Sequence, residues 1–153
     1  NIKIPVIAAG GIGSGKAIRT VENLGVDFAY VGTRFLATQE TLIPDKYRDM
    51  VFKSHMEDLV LSRAITGALG NWMIDSIKAA GLSLEETKSI AKIDFSGDMH
   101  SSSKAWKTVW SAGQGVGAIT KNETISEVVN ELYAEYEEAV VEQLSGSRYL
   151  KRN

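Results

Sequence analysis

The sequence predicts an α/β fold with parallel strands, and three observations carry that prediction. Ile4-Pro5-Val6-Ile7-Ala8-Ala9 is a short apolar run ending in Gly10-Gly11, the pattern of a strand buried on both faces. Over residues 14–24, Ala17, Ile18, Val21 and Leu24 recur at helical spacing, and Gly25 follows where a helix C-terminus is capped. Asp27-Phe28-Ala29-Tyr30-Val31 then reads as a second strand, closed by Gly32-Thr33. Strand, helix and strand make a βαβ unit, whose crossover is right-handed and whose strands run parallel. Pro5 sits near the start of the first strand, where a missing amide donor is tolerated.

The remainder reads as mostly helical. A short helix is expected over 45–55 and a longer one over 58–80, with Gly67 and Gly70 placed awkwardly inside it. Ser83-Leu84-Glu85-Glu86 and Thr124-Ile125-Ser126-Glu127 both fit the capping box, in which side chain and backbone satisfy each other's free amides. The second opens an amphipathic helix carrying Ile125, Val128, Val129, Leu132, Tyr136, Val140 and Leu144. Residues 94–104 are polar, include a triple serine and are expected to form a loop. No internal repeat or low-complexity tract is visible.

Composition removes several classes of function. The chain has 153 residues, 44% of them hydrophobic, enough for one compact domain and too apolar for a disordered chain. Seventeen basic residues against nineteen acidic ones leave a formal charge of −2, without the basic excess of a nucleic-acid binder. No run approaches the roughly 18 apolar residues of a membrane span, so neither nucleic acid nor membrane is expected as a partner. Cysteine is absent, which excludes a disulfide framework, a thiolate metal site and a cysteine nucleophile. A reducing cytoplasm fits that usage. The chain opens on Asn1-Ile2-Lys3-Ile4, without an initiator methionine or a signal-peptide pattern. Parallel sheets normally sit inside larger assemblies, and an eight-stranded barrel usually needs about 250 residues. The expectation is therefore the last part of a larger α/β protein.

Gly10-Gly11-Ile12-Gly13-Ser14-Gly15-Lys16-Ala17 lies where a strand turns into a helix. Glycines let backbone amides approach a phosphate, and the helix N-terminus adds partial positive charge. A P-loop is one reading, since Gly10, Gly15 and Lys16 match its spacing, but Ala17 replaces the hydroxyl that holds magnesium. A dinucleotide fold is another, although the third glycine comes one residue early. The third is a barrel phosphate site built by the loops after the last two strands. That reading requires a second glycine turn after the next strand, and Gly32-Thr33 supplies one, with a hydroxyl to join the ring of amides. Tight turns with no ligand remain the plain alternative.

With both turns placed, the chain resembles the nitronate monooxygenase family, formerly called 2-nitropropane dioxygenase. The resemblance is carried by Ile4-Pro5-Val6-Ile7-Ala8-Ala9-Gly10-Gly11-Ile12, by Leu24-Gly25-Val26-Asp27 and by Val31-Gly32-Thr33-Arg34-Phe35-Leu36-Ala37-Thr38-Gln39-Glu40. Trp110-Ser111-Ala112-Gly113-Gln114-Gly115-Val116-Gly117 is similar to the family's C-terminal motif. The resemblance implies the C-terminal part of an FMN-binding (β/α)8 TIM barrel with an inserted helical domain, from an enzyme that oxidises alkyl nitronates with O2. It implies the last βαβ unit over 1–40, a mostly helical insert over 41–99, and a return segment with a final helix on the barrel over 100–153. Gly10 and Gly11 would hold the FMN phosphate from one side, and Gly32 and Thr33 from the other. Gln114, with Ser111 and Gly113 beside it, would lie near the flavin. FMN-dependent enoyl reductases of fatty-acid synthesis share the first two motifs and are the nearest rival activity.

The departures matter too. The family's catalytic base is a histidine in a loop after an earlier strand, and neither His55 nor His100 matches that motif. No catalytic residue is therefore assigned to this chain, and the missing N-terminal half of the barrel is its expected partner. A second hypothesis is a degenerate half-barrel that works as a binding or assembly module, pairing as a homodimer through its sheet edges.

The remaining candidates have plain readings. His55 is read as a surface histidine near a helix boundary, and His100 as part of a solvated loop. Two distant histidines without cysteine make no metal site. Arg34 reaches either the phosphate or a helix carboxylate. Trp72, Trp106 and Trp110 line a flavin pocket or fill a core. Glu131, Glu135, Glu137, Glu138 and Glu142 are expected on the solvated face of the last helix, and Arg148, Lys151 and Arg152 in a frayed basic tail.

Overall fold

The fold, a computed structural model, describes residues 4–88 and 109–146. Along the chain come β1 (Ile7–Ala9), α1 (Gly15–Asn23), β2 (Phe28–Tyr30), α2 (Asp45–Lys53), β3 (Leu59–Ser62), β4 (Gly70–Met73), α3 (Ile74–Ala79), α4 (Leu84–Lys88) and α5 (Ile125–Leu144). They divide into two units, residues 1–42 with 121–153, and residues 43–120. Among the described residues the strands form two separate two-stranded sheets and no closed barrel.

In the first unit β1 and β2 pair in parallel, with Ile7 opposite Phe28, Ala8 opposite Ala29 and Ala9 opposite Tyr30. The crossover helix α1 starts at Ser14, whose hydroxyl accepts the Ala17 amide proton at 3.2 Å. The strands are shorter than the apolar runs that predict them, and they are not buried on both faces. Ile7, Phe28 and Tyr30 are 60, 61 and 66% exposed. Alternation places Ile7, Ala9, Phe28 and Tyr30 on one face and the half-buried Ala8 and Ala29 on the other. A helical layer covers one face of a sheet; the opposite face needs a second layer that these residues do not supply.

Helix α5 organises this unit. The predicted capping box is present: the Thr124 hydroxyl accepts from the Glu127 amide, and the Glu127 carboxylate accepts from the Thr124 amide at 2.7 Å. The Glu40 carboxylate accepts the next free amide, that of Ile125, at 2.9 and 3.0 Å. Val128 and Leu132 are buried on α5, and Ile12, Ala37 and Thr38 are buried in the same unit. α1 lies along α5.

The second unit corrects one expectation. Residues 58–80 do not form a long helix; they form the antiparallel hairpin β3–β4 followed by the short α3. Two interior glycines each cost a helix about 1 kcal/mol, and the hairpin uses them: Gly67 donates to the Arg63 carbonyl at 2.7 Å, and Gly70 opens β4. Trp72 then buries its ring with Ile77 and Val109, with Val60, Ile65 and Leu84 packed around them. Its indole donates across the hairpin to the Ser62 carbonyl at 3.2 Å. The helix expected over 45–55 is α2 and ends at Lys53. A helix does start after Ser83, as α4.

Candidate functional site

Parallel pairing determines where the two glycine turns lie. Ala9 and Tyr30 are partners at the carboxyl ends of β1 and β2, so Gly10-Gly11 and Gly32-Thr33 leave the sheet at the same end. Neighbouring strands are about 4.8 Å apart, and open α/β sheets bind ligands beyond this end of their strands. Gly10 and Gly11 have φ of 94° and 70°, a backbone that L side chains rarely adopt. A Cβ on Gly10 would meet nothing within 4 Å, so the turn faces open space. Gly32 is exposed and begins the 3-10 turn Thr33–Phe35. These features fit a phosphate cradle made of main-chain amides.

The start of α1 is already engaged. The Gly15 amide donates to Glu135 Oε2 at 2.6 Å, and Lys16 Nζ lies 3.2 Å from Glu138 and 3.6 Å from Glu142. The hydrogen bond that Lys16 donates to Glu138, with the charges of Glu138 and then Glu142, holds the Lys16 ammonium above its ordinary pKa. Two of the three residues of the P-loop spacing, Gly15 and Lys16, are thus bound to α5. Gly15 has a further reason to be glycine: a Cβ there would lie 2.1 Å from the Leu132 carbonyl oxygen.

Arg34 follows the second turn and pairs with carboxylates. Its Nη2 lies 2.9 Å from Glu123 Oε2 and 2.8 Å from Glu131 Oε2, and Arg34 is only 4% exposed. Lys121 adds a contact of 3.0 Å to Glu123 Oε1 and one of 3.4 Å to Glu131 Oε2. Burial pushes the Glu123 carboxyl up, but Lys121 and Arg34 together hold it below its ordinary value. The expectation that Glu131 and Glu135 sit on a solvated face is corrected here: both are half-buried and bound to residues outside α5. Their spacing of four on one helix was the available signal.

Gln114 belongs to the second unit, where it opens the 3-10 turn Gln114–Ala118 and is exposed. The segment leading to it is tied down by residues that the motif did not indicate. The Tyr47 hydroxyl donates to the Ser111 carbonyl, and the Ser76 hydroxyl accepts the Trp110 amide at 2.9 Å. Trp110 stacks on Tyr47 and Trp72 fills the core, while Trp106 lies outside the described residues. His55 is exposed; its side chain and that of Asp58 cap the turn Met56–Asp58. His100, the loop over 94–104 and the basic tail also fall outside the described residues. Among those described, no cluster of three His, Cys, Asp or Glu gathers to hold a metal, and no helix is long and apolar enough to cross a membrane.

The sequence profile of the nitronate monooxygenase family matches residues 1–135. A nitronate monooxygenase of Paraburkholderia phytofirmans is 38% identical over 79 residues, which is 52% of this chain and 22% of that protein. A probable nitronate monooxygenase of Staphylococcus aureus is 37% identical over 68 residues, 44% of this chain and 19% of the other. The solved nitroalkane oxidase of Streptomyces ansochromogenes superimposes with a TM-score of 0.73 at 27% identity, over 93% of this chain and 42% of that one. FabK of Thermotoga maritima matches with a TM-score of 0.68 at 23% identity, over 95% of this chain and 48% of that one, a likeness of fold. The matched stretch spans about a quarter or less of these curated relatives and under half of the solved chains. With a profile match over most of its length, the chain belongs to the nitronate monooxygenase family, a family of flavin-dependent oxidoreductases.

Proposed function

We propose that this chain is the C-terminal part of an FMN-dependent oxidoreductase on a (β/α)8 barrel, which oxidises alkyl nitronates with O2. The observation that carries the reading is the parallel register, which delivers Gly10-Gly11 and Gly32-Thr33 to one end of the sheet. In this reading the amides of Gly10 and Gly11 hold the FMN phosphate from one side. Gly32 and the Thr33 backbone and hydroxyl hold it from the other. Because Glu135 occupies the Gly15 amide, anchorage falls to these turns rather than to the start of α1. When bound, FMN would supply the redox chemistry between nitronate and oxygen, while the protein supplies position and electrostatics.

The catalytic base belongs to the remainder of the barrel, the proposed partner of this chain, so the chain alone binds flavin but turns over little or nothing. The segment 41–99 is the proposed insert, and a cytoplasmic location accompanies the reading. The test is a visible spectrum of the purified chain, with the released cofactor identified, followed by titration with FMN and a nitrite assay on a nitronate. Released FMN, or saturable FMN binding, without nitrite is the expected result. A colourless chain that does not bind added FMN overturns the cofactor reading, and rapid nitrite release overturns the claim that it lacks its base. Enoyl-thioester reduction by the completed barrel, in place of nitrite release, would select the rival activity.

The exposed face of Ile7, Phe28 and Tyr30 favours a second reading, an assembly module that pairs with a second copy. A flavin-free dimer in light scattering would support it.

A further inference from the structure

We propose that Glu131 and Glu135 are positioning residues that hold both glycine turns from a single helix. They stand four residues apart on α5, so their side chains leave the same face one turn apart, with an axial rise of about 6 Å between them. Glu135 Oε2 accepts the Gly15 amide at 2.6 Å, at the end of the first turn. Glu131 Oε2 lies 2.8 Å from Arg34 Nη2, at the end of the second. Charge-assisted hydrogen bonds of this kind are short and about twice as strong as neutral ones. A carboxylate at the first amide of α1 also meets the positive end of the helix dipole. A Cβ on Gly15 would lie 2.1 Å from the Leu132 carbonyl oxygen, so α1 packs closely on α5 beside the Glu135 contact.

The contrast along the same helix supports the assignment. Glu138 and Glu142 are exposed and, among the described residues, pair with the Lys16 ammonium alone. Glu131 and Glu135 are half-buried; Glu135 holds a main-chain amide of the first turn, and Glu131 holds the buried guanidinium of Arg34, which follows the second. Two loops that must meet one ligand from opposite sides lose hydrogen bonds when either drifts, so one rigid element that fixes both sets their spacing. The functional meaning of the clamp rests on the proposed phosphate site, whereas the clamp itself rests on this geometry.

The experiment compares the wild-type chain with E131A, E131Q, E135A and E135Q by amide hydrogen exchange and by binding of FMN and riboflavin. Loss of a hydrogen bond to a charged group should speed exchange roughly tenfold or more in the attached turn, residues 10–15 for E135A and 32–36 for E131A. Exchange in the β3–β4 hairpin should not change. FMN binding should weaken roughly tenfold in either alanine variant, with riboflavin binding unmoved because it lacks the phosphate. E135Q, which keeps an acceptor for the Gly15 amide, should recover most of the loss. Unchanged exchange in both turns overturns the clamp, as does faster exchange spread evenly over the unit. If an alanine variant fails to fold, Glu131→Leu and Glu135→Leu, which keep most of the side chain's bulk and lose its acceptor, take its place, and unchanged exchange in the attached turn overturns the clamp equally. Turn-specific exchange in a wild-type chain that binds neither flavin, or both equally, keeps the clamp and overturns the phosphate reading.

Discussion

Tyr47 and Trp110 stack with ring centroids 5.0 Å apart and planes 7° from parallel. The Tyr47 hydroxyl donates to the carbonyl of the next residue, Ser111, so one side chain grips the chain twice just ahead of Gln114. Burial pushes the Tyr47 phenol above its ordinary pKa, so it remains a proton donor further into the alkaline range than a free tyrosine. Tyr47→Phe should keep the stack and lose the hydrogen bond, costing about 1 kcal/mol. Tyr47→Ala should cost about 3 kcal/mol, because the aromatic pair and the filled space both go. Urea unfolding followed by tryptophan fluorescence checks this, since all three tryptophans lie within residues 72–110. Equal effects of the two substitutions would remove the stack from the account.

Gly15→Ala should destabilise the first unit, against the order of helix propensities. In an isolated helix alanine is better than glycine by about 1 kcal/mol. Here the new methyl would stand 2.1 Å from the Leu132 carbonyl oxygen and 2.3 Å from the Tyr136 amide nitrogen. Both are backbone atoms within α5 and cannot turn aside, so α1 and α5 must separate. The net loss should reach about 1–3 kcal/mol, the range for forced overpacking, read from thermal unfolding by circular dichroism. A variant as stable as the wild type would show that the two helices move apart at no cost.

Gly15 also shows what the sequence makes legible and what it conceals. Its place in a glycine-rich strand-to-helix turn suggests a phosphate, and the βαβ order, the parallel direction of its strands and the capping box at Thr124 all follow from local spacing. The role of Gly15 against Leu132 follows from no local pattern, because the partner is more than a hundred residues away. Glu131 and Glu135 look like solvated acids for the same reason: periodicity assigns a face, and long-range partners decide what the face meets. The hairpin over 59–73 is hidden differently. Short apolar runs suit helix and strand alike, and the deciding contacts are those of Trp72 with Ile77 and Val109. Exposure of Ile7 and Phe28 is equally illegible, since the run records what the strand suits and not what covers it.

Arg34→Met should be among the costliest substitutions in the first unit. Arg34 and the Glu123 side chain are 4% and 6% exposed. Removing one member of a buried ion pair leaves the other in an apolar setting, at a cost of about 3–5 kcal/mol. Lys121 stays within 3.0 Å of Glu123, which places the expected loss near the lower end, about 3 kcal/mol. The double variant R34M/E123Q should lose less than the sum of its parts, because the orphaned charge is gone as well. Denaturant unfolding of the two single variants and the double variant measures that coupling, and strict additivity would contradict a paired buried charge.

Acid should weaken the first unit through three glutamates whose carboxyls sit below their ordinary pKa of 4.5. Glu22 is held down by the Tyr136 hydroxyl and then by Arg19. Glu127 is held down by the Thr124 amide and then by its hydroxyl. For Glu123 burial acts upward, and the hydrogen bonds from Lys121 and Arg34 outweigh it. A carboxyl depressed in the folded state binds fewer protons there than in the unfolded chain, so its contribution is complete above the unfolded value. It is lost as pH falls through the folded one. Unfolding temperature should therefore hold steady down to about pH 5 and fall below it, with a weaker fall at high salt, where the exposed pairs are screened. Glu127→Gln keeps a carbonyl to accept the Thr124 amide but cannot ionise, so it should flatten the acid limb while lowering stability at neutral pH. Circular dichroism of α5 against pH makes the comparison, and an acid limb as steep in the variant as in the wild type would take Glu127 out of the set.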